Sequence, residues 1–141
     1  MSIEFSGIDD VLENLENVVN IAKIEAAMGK ACAIVERSAK QNAPKGNGEL
    51  RRSITSKVEN DSGDIKGIVY TPLEYAPYVE YGTGLFAENG GRQDVPWSYQ
   101  DDEGEWHTTK GMHPSPYMRP ALNENRERVI RVIMEGLFKN D

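Results

Sequence analysis

Two histidines and six carboxylates between positions 85 and 115 are the groups best suited to hold a metal ion. His107 and His113 are the two histidines of the chain, and imidazole and carboxylate are ligands that a metal-dependent hydrolase or nuclease gathers around its ion. They stand on either side of a glycine, however, and no HExxH motif or comparable spacing arranges them as ligands. The pattern favours a solvated hairpin without metal or cofactor, and a small metal-dependent hydrolase or nuclease is the alternative.

The possible nucleophiles are equally isolated in the sequence. Cys32 lies in an amphipathic helical pattern, where a small thiol is usually buried and inert. Ser53 and Thr83 belong to no motif that would activate a hydroxyl with a neighbouring base. We therefore predict that the protein is not an enzyme.

The charge of the chain argues against tight binding of nucleic acid. Its 141 residues include 23 acidic and 16 basic side chains, a net charge of −7, whereas phosphate binding needs clustered Lys and Arg. Arg51 and Arg52 form a basic pair, but we interpret them as the entry to a strand whose charges face water or an acidic neighbour. Specific nucleic-acid binding is not expected.

Length and composition predict one domain, residues 1–141. The hydrophobic content of 38% is low, which suggests that neighbouring chains complete part of the surface. A single cysteine excludes an internal disulfide framework, and no apolar run approaches the ~18 residues of a membrane span. We expect a protein that has no membrane contact and is cytoplasmic where it is made.

The first half of the chain has clear helical and strand patterns. Residues 1–19 predict a short strand or arm and then a short helix. Apolar residues at spacings of three and four predict a long helix over residues 20–43, which must end before Pro44. Two β-like runs, residues 52–59 and 65–71, flank an Asn-Asp-Ser-Gly-Asp cluster and predict a hairpin.

The stretch YAPYVEYGTG predicts a short helix made for packing. Spacings of three and four residues place four residues on one face: Tyr75, Tyr78, Val79 and Gly82. Pro77 fits the first turn, where its missing N–H is not needed, and Gly82 can take the positive φ that ends a helix. We expect Tyr75, Tyr78 and Tyr81 to supply buried area.

Glu80 lies between two of these tyrosines. An unpaired buried carboxylate is costly, so Glu80 needs a partner if it is buried. Arg51, Arg52 and Arg119 are the candidates, because guanidinium groups form strong hydrogen-bonded pairs with carboxylates.

The rest of the chain predicts an acidic insertion and a C-terminal helix. The insertion carries six acids against two bases. Trp97 and Trp106 flank its acidic centre, and we expect them to face each other across a hairpin. Pro120 is expected at the first position of the last helix, whose apolar face is Leu122, Val129, Ile130, Ile133 and Leu137. The predicted segments are an arm and short helix (1–19), a long helix (20–43), a sheet and aromatic turn (50–84), the acidic hairpin insertion (85–115) and the C-terminal helix (120–139).

Three sequence blocks, taken in order, are similar to a known family. They are APKGNGELRRSI (Ala43–Ile54), YAPYVEYGTG (Tyr75–Gly84) and HPSPYMRPAL (His113–Leu122). With them the chain resembles the small tail-component family of long-tailed bacteriophages and prophages, also described as head–tail joining or tail-completion proteins. The resemblance covers residues 20–138. The chain departs from the family pattern at two places, with Asn-Gly where Thr-Gly is usual and Pro-Tyr-Met where Phe-Leu is common.

The resemblance implies an α+β protomer, with N-terminal and C-terminal amphipathic helices packed on a small antiparallel β-sheet and an extended β-hairpin insertion. It implies a structural protein of the virion that assembles as a homo-oligomeric ring, a hexamer or larger, at the head–tail junction (the neck) or the head-proximal end of the tail. Head-connector or tail-tube proteins are the other implied partners, and DNA passes through such an assembly.

The residues expected to matter fall into two groups. The expected structural motif is Tyr75, Tyr78, Glu80, Tyr81, Gly82, Arg51 and Pro120. The expected interface is Trp97, Trp106, Asp101, Asp102, Glu103 and Glu105, whose acids would also keep DNA sliding if they lined a channel. A further alternative is an acidic protein-interaction module, which would be a monomer that binds a basic partner.

Overall fold

The computed structural model describes residues 1–6 and 21–138, whose contacts fall into two compact units. One unit comprises Met1–Pro72 and Tyr117–Asp141, and the other Leu73–Pro116. Helices occur together with antiparallel strands, so the predicted α+β class is confirmed. The single domain stays a prediction, and the short helix predicted before residue 20 lies outside the described residues.

The first unit is built on a three-stranded antiparallel sheet with the strand order β1-β3-β2. Ile3 of the first strand pairs with Val69 of the third, which confirms the predicted N-terminal strand. The elements of this unit are β1 (Ser2–Phe5), α1 (Ile21–Asn42), α2 (Glu49–Ser53), β2 (Thr55–Asp61), β3 (Asp64–Tyr70), α4 (Met118–Glu124) and α5 (Arg126–Phe138). The second unit holds α3 (Ala76–Tyr81), a 3₁₀ turn (Gly84–Phe86), β4 (Trp97–Gln100) and β5 (Trp106–Thr109).

A two-residue turn joins β2 to β3, within the Asn-Asp-Ser-Gly-Asp cluster where the sequence predicts the hairpin to reverse. Asp61 pairs with Asp64, and the intervening Ser62 and Gly63 have φ angles of 53° and 94°. Positive φ at both central residues is typical of the type I′ turn, whose twist matches that of the flanking strands. The side chain of Asn60 accepts a hydrogen bond from the Gly63 amide at 3.0 Å. The predicted hairpin is confirmed.

The start of this hairpin differs from the prediction. Arg51 and Arg52 lie in the short helix α2, so their interpretation as a strand entry is wrong. Gly48 takes a φ of 81°, and the Glu49 amide donates a hydrogen bond to the side chain of Asn47 at 2.9 Å. These two features turn the chain into a helix. Alternation of polar and apolar side chains does not reveal such a turn.

Helix α1 confirms the predicted long helix and its apolar stripe. It ends at Asn42, close to the limit that Pro44 sets. Cys32 is buried, as predicted, and burial raises the pKa of its thiol to about 11. Ile34, which the pattern also assigned to the stripe, is only half-buried. The buried residues are Ile24, Ala27, Met28, Ala31, Cys32, Val35 and Ala39.

The predicted C-terminal helix is divided into α4 and α5 at Asn125. This residue has φ −105° and ψ 8°, and its side-chain amide donates to the carbonyl oxygen of Ala121 at 2.8 Å. Pro120 is the third residue of α4, which begins at Met118, so the prediction that Pro120 begins the helix is wrong. Both positions belong to the first turn, where proline removes no helical hydrogen bond.

Only part of the predicted apolar face of the last helix is buried. Val129 and Leu137 are buried in the first unit, as predicted. Ile130 was predicted on the same face but is 55% exposed. Val129, Ile133 and Leu137 form one stripe at spacings of four residues, whereas Ile130 lies about 100° away from Val129 around the same helix.

The core of the first unit forms around α1. Its central cluster contains Ile24, Met28, Ile65 and Leu137, with Phe5, Val58 and Ile133 packed against it. Two glycines allow close approach to α1. A Cβ atom added at Gly67 of β3 would lie 2.6 Å from Sγ of Cys32, and one added at Gly136 of α5 would lie 2.9 Å from Cβ of Ala27. None of the described helices is both long and apolar enough to span a membrane.

Two helical glycines offer a matched test of this close packing. Gly29→Ala meets nothing within 4 Å and should raise the free energy of unfolding by ~0.5–1 kcal/mol, the usual gain from replacing glycine within a helix. Gly136→Ala brings the same propensity gain but forces α5 away from Ala27, and overpacking costs ~1–3 kcal/mol. Chemical denaturation should therefore show opposite signs for the two variants. Stabilisation by both would contradict the close approach of α5 to α1.

Candidate functional site

The helix α3 at the centre of the YAPYVEYGTG stretch has the predicted length and ends. Pro77 lies in its first turn, and the Gly82 amide donates to the carbonyl oxygen of Tyr78 at 2.9 Å while Gly82 takes a φ of 82°. The buried residues of α3 are Ala76 and Glu80. These two residues are four positions apart, so they lie on the same face of the helix, one turn from each other.

The tyrosines of this stretch do not behave as predicted. Tyr75 is 39% exposed and Tyr78 57% exposed, so the expectation that they supply buried area is wrong. Tyr81 is half-buried. Glu80 is fully buried, which is the condition under which it needs a partner. Its pairing with Arg51, Arg52 or Arg119 stays a prediction.

The Gly-Thr-Gly end of the stretch is fastened to residues 110–112, and we call this pair of segments the clasp. The Thr83 amide donates to the carbonyl oxygen of Met112 at 2.9 Å, and the Leu85 amide donates to that of Lys110 at 3.0 Å. In return the Met112 amide donates to the side-chain hydroxyl of Thr83 at 2.9 Å. The clasp closes the base of the acidic insertion.

Glycine is required in the clasp because the two backbones lie almost in contact. Gly84 has a φ of 62°, and a Cβ there would overlap the carbonyl oxygen of Lys110. Gly111 has a φ of 124°, and a Cβ there would overlap the carbonyl oxygen of Thr83. Sequence reasoning explained the glycine after α3 as a helix stop and missed the clasp. The signal that could have revealed the clasp is a glycine at each end of the insertion, Gly84 and Gly111.

Strands β4 and β5 form the predicted hairpin, but its register separates the tryptophans. Trp97 pairs with Thr109, and Trp106 pairs with Gln100. The predicted cross-strand pairing of the two tryptophans is therefore wrong. Residues 97 and 100 are three apart on one strand, and side chains alternate between faces, so Trp97 and Trp106 lie on opposite faces of the hairpin. A five-residue tip, longer than the predicted DDEG turn, produces this register.

The tip is organised by the carboxylate of Asp101. Its Oδ1 accepts hydrogen bonds from the amides of Glu103 at 2.9 Å and Glu105 at 2.8 Å, and its Oδ2 lies 2.7 Å from Nε2 of His107. The hydrogen bond with His107, followed by those from the tip amides, holds the pKa of the Asp101 carboxyl below its usual value. The side chains of Asp102, Glu103 and Glu105 are exposed. We call these three residues the acidic tip.

The structure brings three of the candidate metal ligands close to one another. Asp101, Glu105 and His107 offer ligand atoms within 4.8 Å of one another. Two of these three residues already serve the turn, because Asp101 accepts from the tip amides and His107. His113 lies outside this group, and its ring stacks on Phe86 with centroids 3.8 Å apart. The structure therefore explains each histidine by a local contact within the second unit.

Both faces of the hairpin present aromatic side chains to solvent. Trp106 is 70% exposed on one face, and Tyr99 is 47% exposed on the other, where it stacks on His107. Trp97 is half-buried, and the guanidinium of Arg92 lies 4.9 Å from its ring centre. Arg92 also donates two hydrogen bonds to the carboxylate of Asp94, at 2.8 and 3.1 Å. The expected interface residues thus lie on one element, with Trp106 and the acidic tip as its most accessible parts.

Comparison with known proteins gives one match. The HK97-gp10-like family model, described as "Bacteriophage HK97-gp10, putative tail-component", matches residues 8–82, just over half of the chain. The match includes α1, the hairpin of β2 and β3, and the stretch from Tyr75 to Gly82. No curated protein and no solved structure matches the chain.

Two glycines with positive φ offer a test of the clasp. Gly84→Ala adds a Cβ that overlaps Lys110, whereas Gly90→Ala, at a φ of 75°, meets nothing within 4 Å. In both variants, alanine in a left-handed backbone conformation destabilises the folded state by ~1–2 kcal/mol. Gly84→Ala should in addition break the clasp. Amide hydrogen exchange at Leu85 and Met112 should accelerate in Gly84→Ala far more than in Gly90→Ala. Equal exchange rates in the two variants would show that close approach is not what requires glycine there.

The tip should loosen in acid. A carboxyl whose pKa is lowered by folding stabilises the folded form above its ordinary pKa, 3.8 for Asp101, and this contribution is lost as the pH falls through the lower folded value. We expect the amides of Glu103 and Glu105 to stay protected from exchange at neutral pH and to lose protection below about pH 3.8. Asp101→Ala should abolish the protection at every pH, while Asp102→Ala should leave it unchanged. Protection that survives Asp101→Ala would contradict this role.

Proposed function

The chain belongs to the HK97-gp10-like family of bacteriophage tail components, and on this basis we propose that it is a structural protein of the virion that assembles as a ring at the head–tail junction or the head-proximal end of the tail. The ring contains copies of this chain, a hexamer or larger. Its other partners are the head connector, the tail tube or both. The family supports a role in the phage tail, and the surface of the second unit supports the assembly.

The observation that carries the proposed assembly is the hairpin of β4 and β5. A two-stranded ribbon is marginally stable on its own in water, yet this one exposes Trp106 on one face and Tyr99 on the other. Aromatic side chains dominate the energetics of protein interfaces. Such a ribbon is well suited to be covered on both faces by neighbouring subunits.

A ring of identical copies requires two different contact surfaces on each copy, and the chain has candidates for both. Copies that associate head to tail use two different surfaces, and the contact closes into a ring when its rotation does. The hairpin lies in the second unit, and the first unit has its own exposed apolar residues, Ile130, Met134 and Phe138, at successive turns of α5. Each copy therefore has more than one surface through which to meet neighbours.

The charge of the chain suits a protein through which DNA passes. A net charge of −7 disfavours binding to phosphates. The basic pair Arg51 and Arg52 is used locally, since Arg51 donates to the carbonyl oxygen of Ala43 at 3.2 Å and Arg52 to that of Asn47 at 3.3 Å. Backbone carbonyl oxygens therefore engage both of these guanidinium groups.

We also propose that the protein is not an enzyme. The candidate nucleophile Cys32 is buried, and with a pKa of about 11 its thiol stays protonated at neutral pH. The carboxylate of Asp101 and the ring of His107 hold the hairpin tip. The groups that chemistry would use therefore have structural tasks in the described part of the chain.

Assembly can be tested by replacing the most exposed aromatic side chain. Light-scattering mass measured over a range of concentrations, together with negative-stain images, should show hexamers or larger rings for the wild type. Trp106→Ala should raise the concentration needed for assembly at least tenfold, which corresponds to loss of about 1.4 kcal/mol per contact. Trp106→Phe should restore most of the association. A wild type that stays monomeric alone and with connector or tail-tube proteins would contradict the ring.

A further inference from the structure

An open groove in the first unit carries two arginines. It lies between α1 and the start of α5, has a volume of about 330 Å³, and is lined by Ile34, Arg37, Ser38, Gln41, Asn125 and Arg128. Arg37 and Arg128 are both exposed. We call this feature the arginine groove.

The two guanidinium groups are available to a partner. Within the described part of the chain, neither Arg37 nor Arg128 forms a salt bridge. Glu36, the acid next to Arg37 on α1, is engaged with Lys40 at 3.6 Å. Guanidinium groups have five donors and match carboxylates in bidentate geometry. The groove is therefore suited to a ligand that carries carboxylates.

We propose that the arginine groove receives the acidic tip of a neighbouring copy of this chain, an inference that rests on the proposed ring. The acidic tip presents three exposed carboxylates, Asp102, Glu103 and Glu105, in a turn that Asp101 already holds. A ligand fixed in its bound shape loses less conformational entropy on binding. The charges of tip and groove are opposite, so each attracts the other.

The apolar parts of the two surfaces also correspond. Trp106 directly follows the acidic tip and is 70% exposed. The groove is bounded by Ala33 and the half-buried Ile34 on the same helix as Arg37. An indole next to the acidic tip corresponds to an aliphatic wall next to two guanidinium groups, and a guanidinium can also stack on the indole. The contact thus combines an aromatic anchor with paired charges, the pattern of an interface hot spot.

The proposed contact is head to tail. The tip belongs to the second unit and the groove to the first, so every copy has one of each and can donate to one neighbour while it accepts from another. The acidic tip is then seated in protein, and it does not line a DNA channel. A channel-lining tip would instead affect the passage of DNA without affecting assembly.

Charge reversal on each side of the contact tests the proposal. Arg37→Glu with Arg128→Glu, and separately Glu103→Arg with Glu105→Arg, should each weaken self-association at least tenfold. An equal mixture of the two variants should recover association, because every contact pairs opposite charges when the two variants alternate around the ring. The control is Lys30→Glu with Lys45→Glu, two exposed lysines outside the groove, which changes the net charge by the same amount and should leave association unchanged.

Disulfide trapping in full-length chains gives a second, independent measurement. Chains with Glu103→Cys are mixed with chains with Arg128→Cys under oxidation, and a mixed disulfide should form much faster than with Glu127→Cys, an exposed residue next to the groove. Cys32 is buried and does not compete.

The outcomes separate this inference from the proposed ring. Rings that form normally in both charge-reversal variants, with no enrichment of the Glu103–Arg128 disulfide over the control, would overturn the contact and leave the ring standing. A wild type that forms no rings, together with no enrichment of the disulfide between the engineered chains, would overturn both. Enriched disulfides together with recovery in the mixture would establish the contact.

Discussion

The packing of α1 on two sides is the constraint on which the first unit depends. Its stripe must fit β3 through Gly67 and α5 through Gly136, and it does so because Ala27 and Cys32 are small. Protein interiors are packed as densely as organic crystals, so close contacts of this kind admit little variation. The sheet and the C-terminal helices take their places from one helix. The surface of the first unit, including the arginine groove between that helix and the start of α5, is therefore held on a rigid support.

Much of this fold follows from the sequence by simple physical rules. The stripe of α1 and the stop before Pro44 follow from helical periodicity and proline sterics. The turn at Ser62 and Gly63 follows from turn chemistry. The failures occur where a local hydrogen bond or a change in register competes with periodicity. Asn47 begins a helix that alternation hides, and Asn125 divides one that periodicity joins.

The candidate site shows the same division. The sequence predicts the hairpin and its acidic centre. The face of the hairpin on which each aromatic side chain lies, however, depends on the register of the two strands. Asp101 fixes that register by gathering the tip amides, so that Trp97 and Trp106 point in opposite directions. Likewise, spacing places Tyr78 on the predicted apolar face of α3. The face of this short helix that is buried is instead the one that carries Ala76 and Glu80.

The clasp has a consequence for how such proteins diversify. It joins Thr83 and Leu85 to Lys110 and Met112 mainly through main-chain atoms, and its chemical requirements are two glycines and one hydroxyl. The hairpin of β4 and β5, which lies between these two segments, is then held at its base by a frame that does not depend on the side chains of the hairpin. Insertions of other lengths and charges can be exchanged there without rebuilding the body of the protein. A phage lineage could acquire a new assembly partner by replacing this one segment.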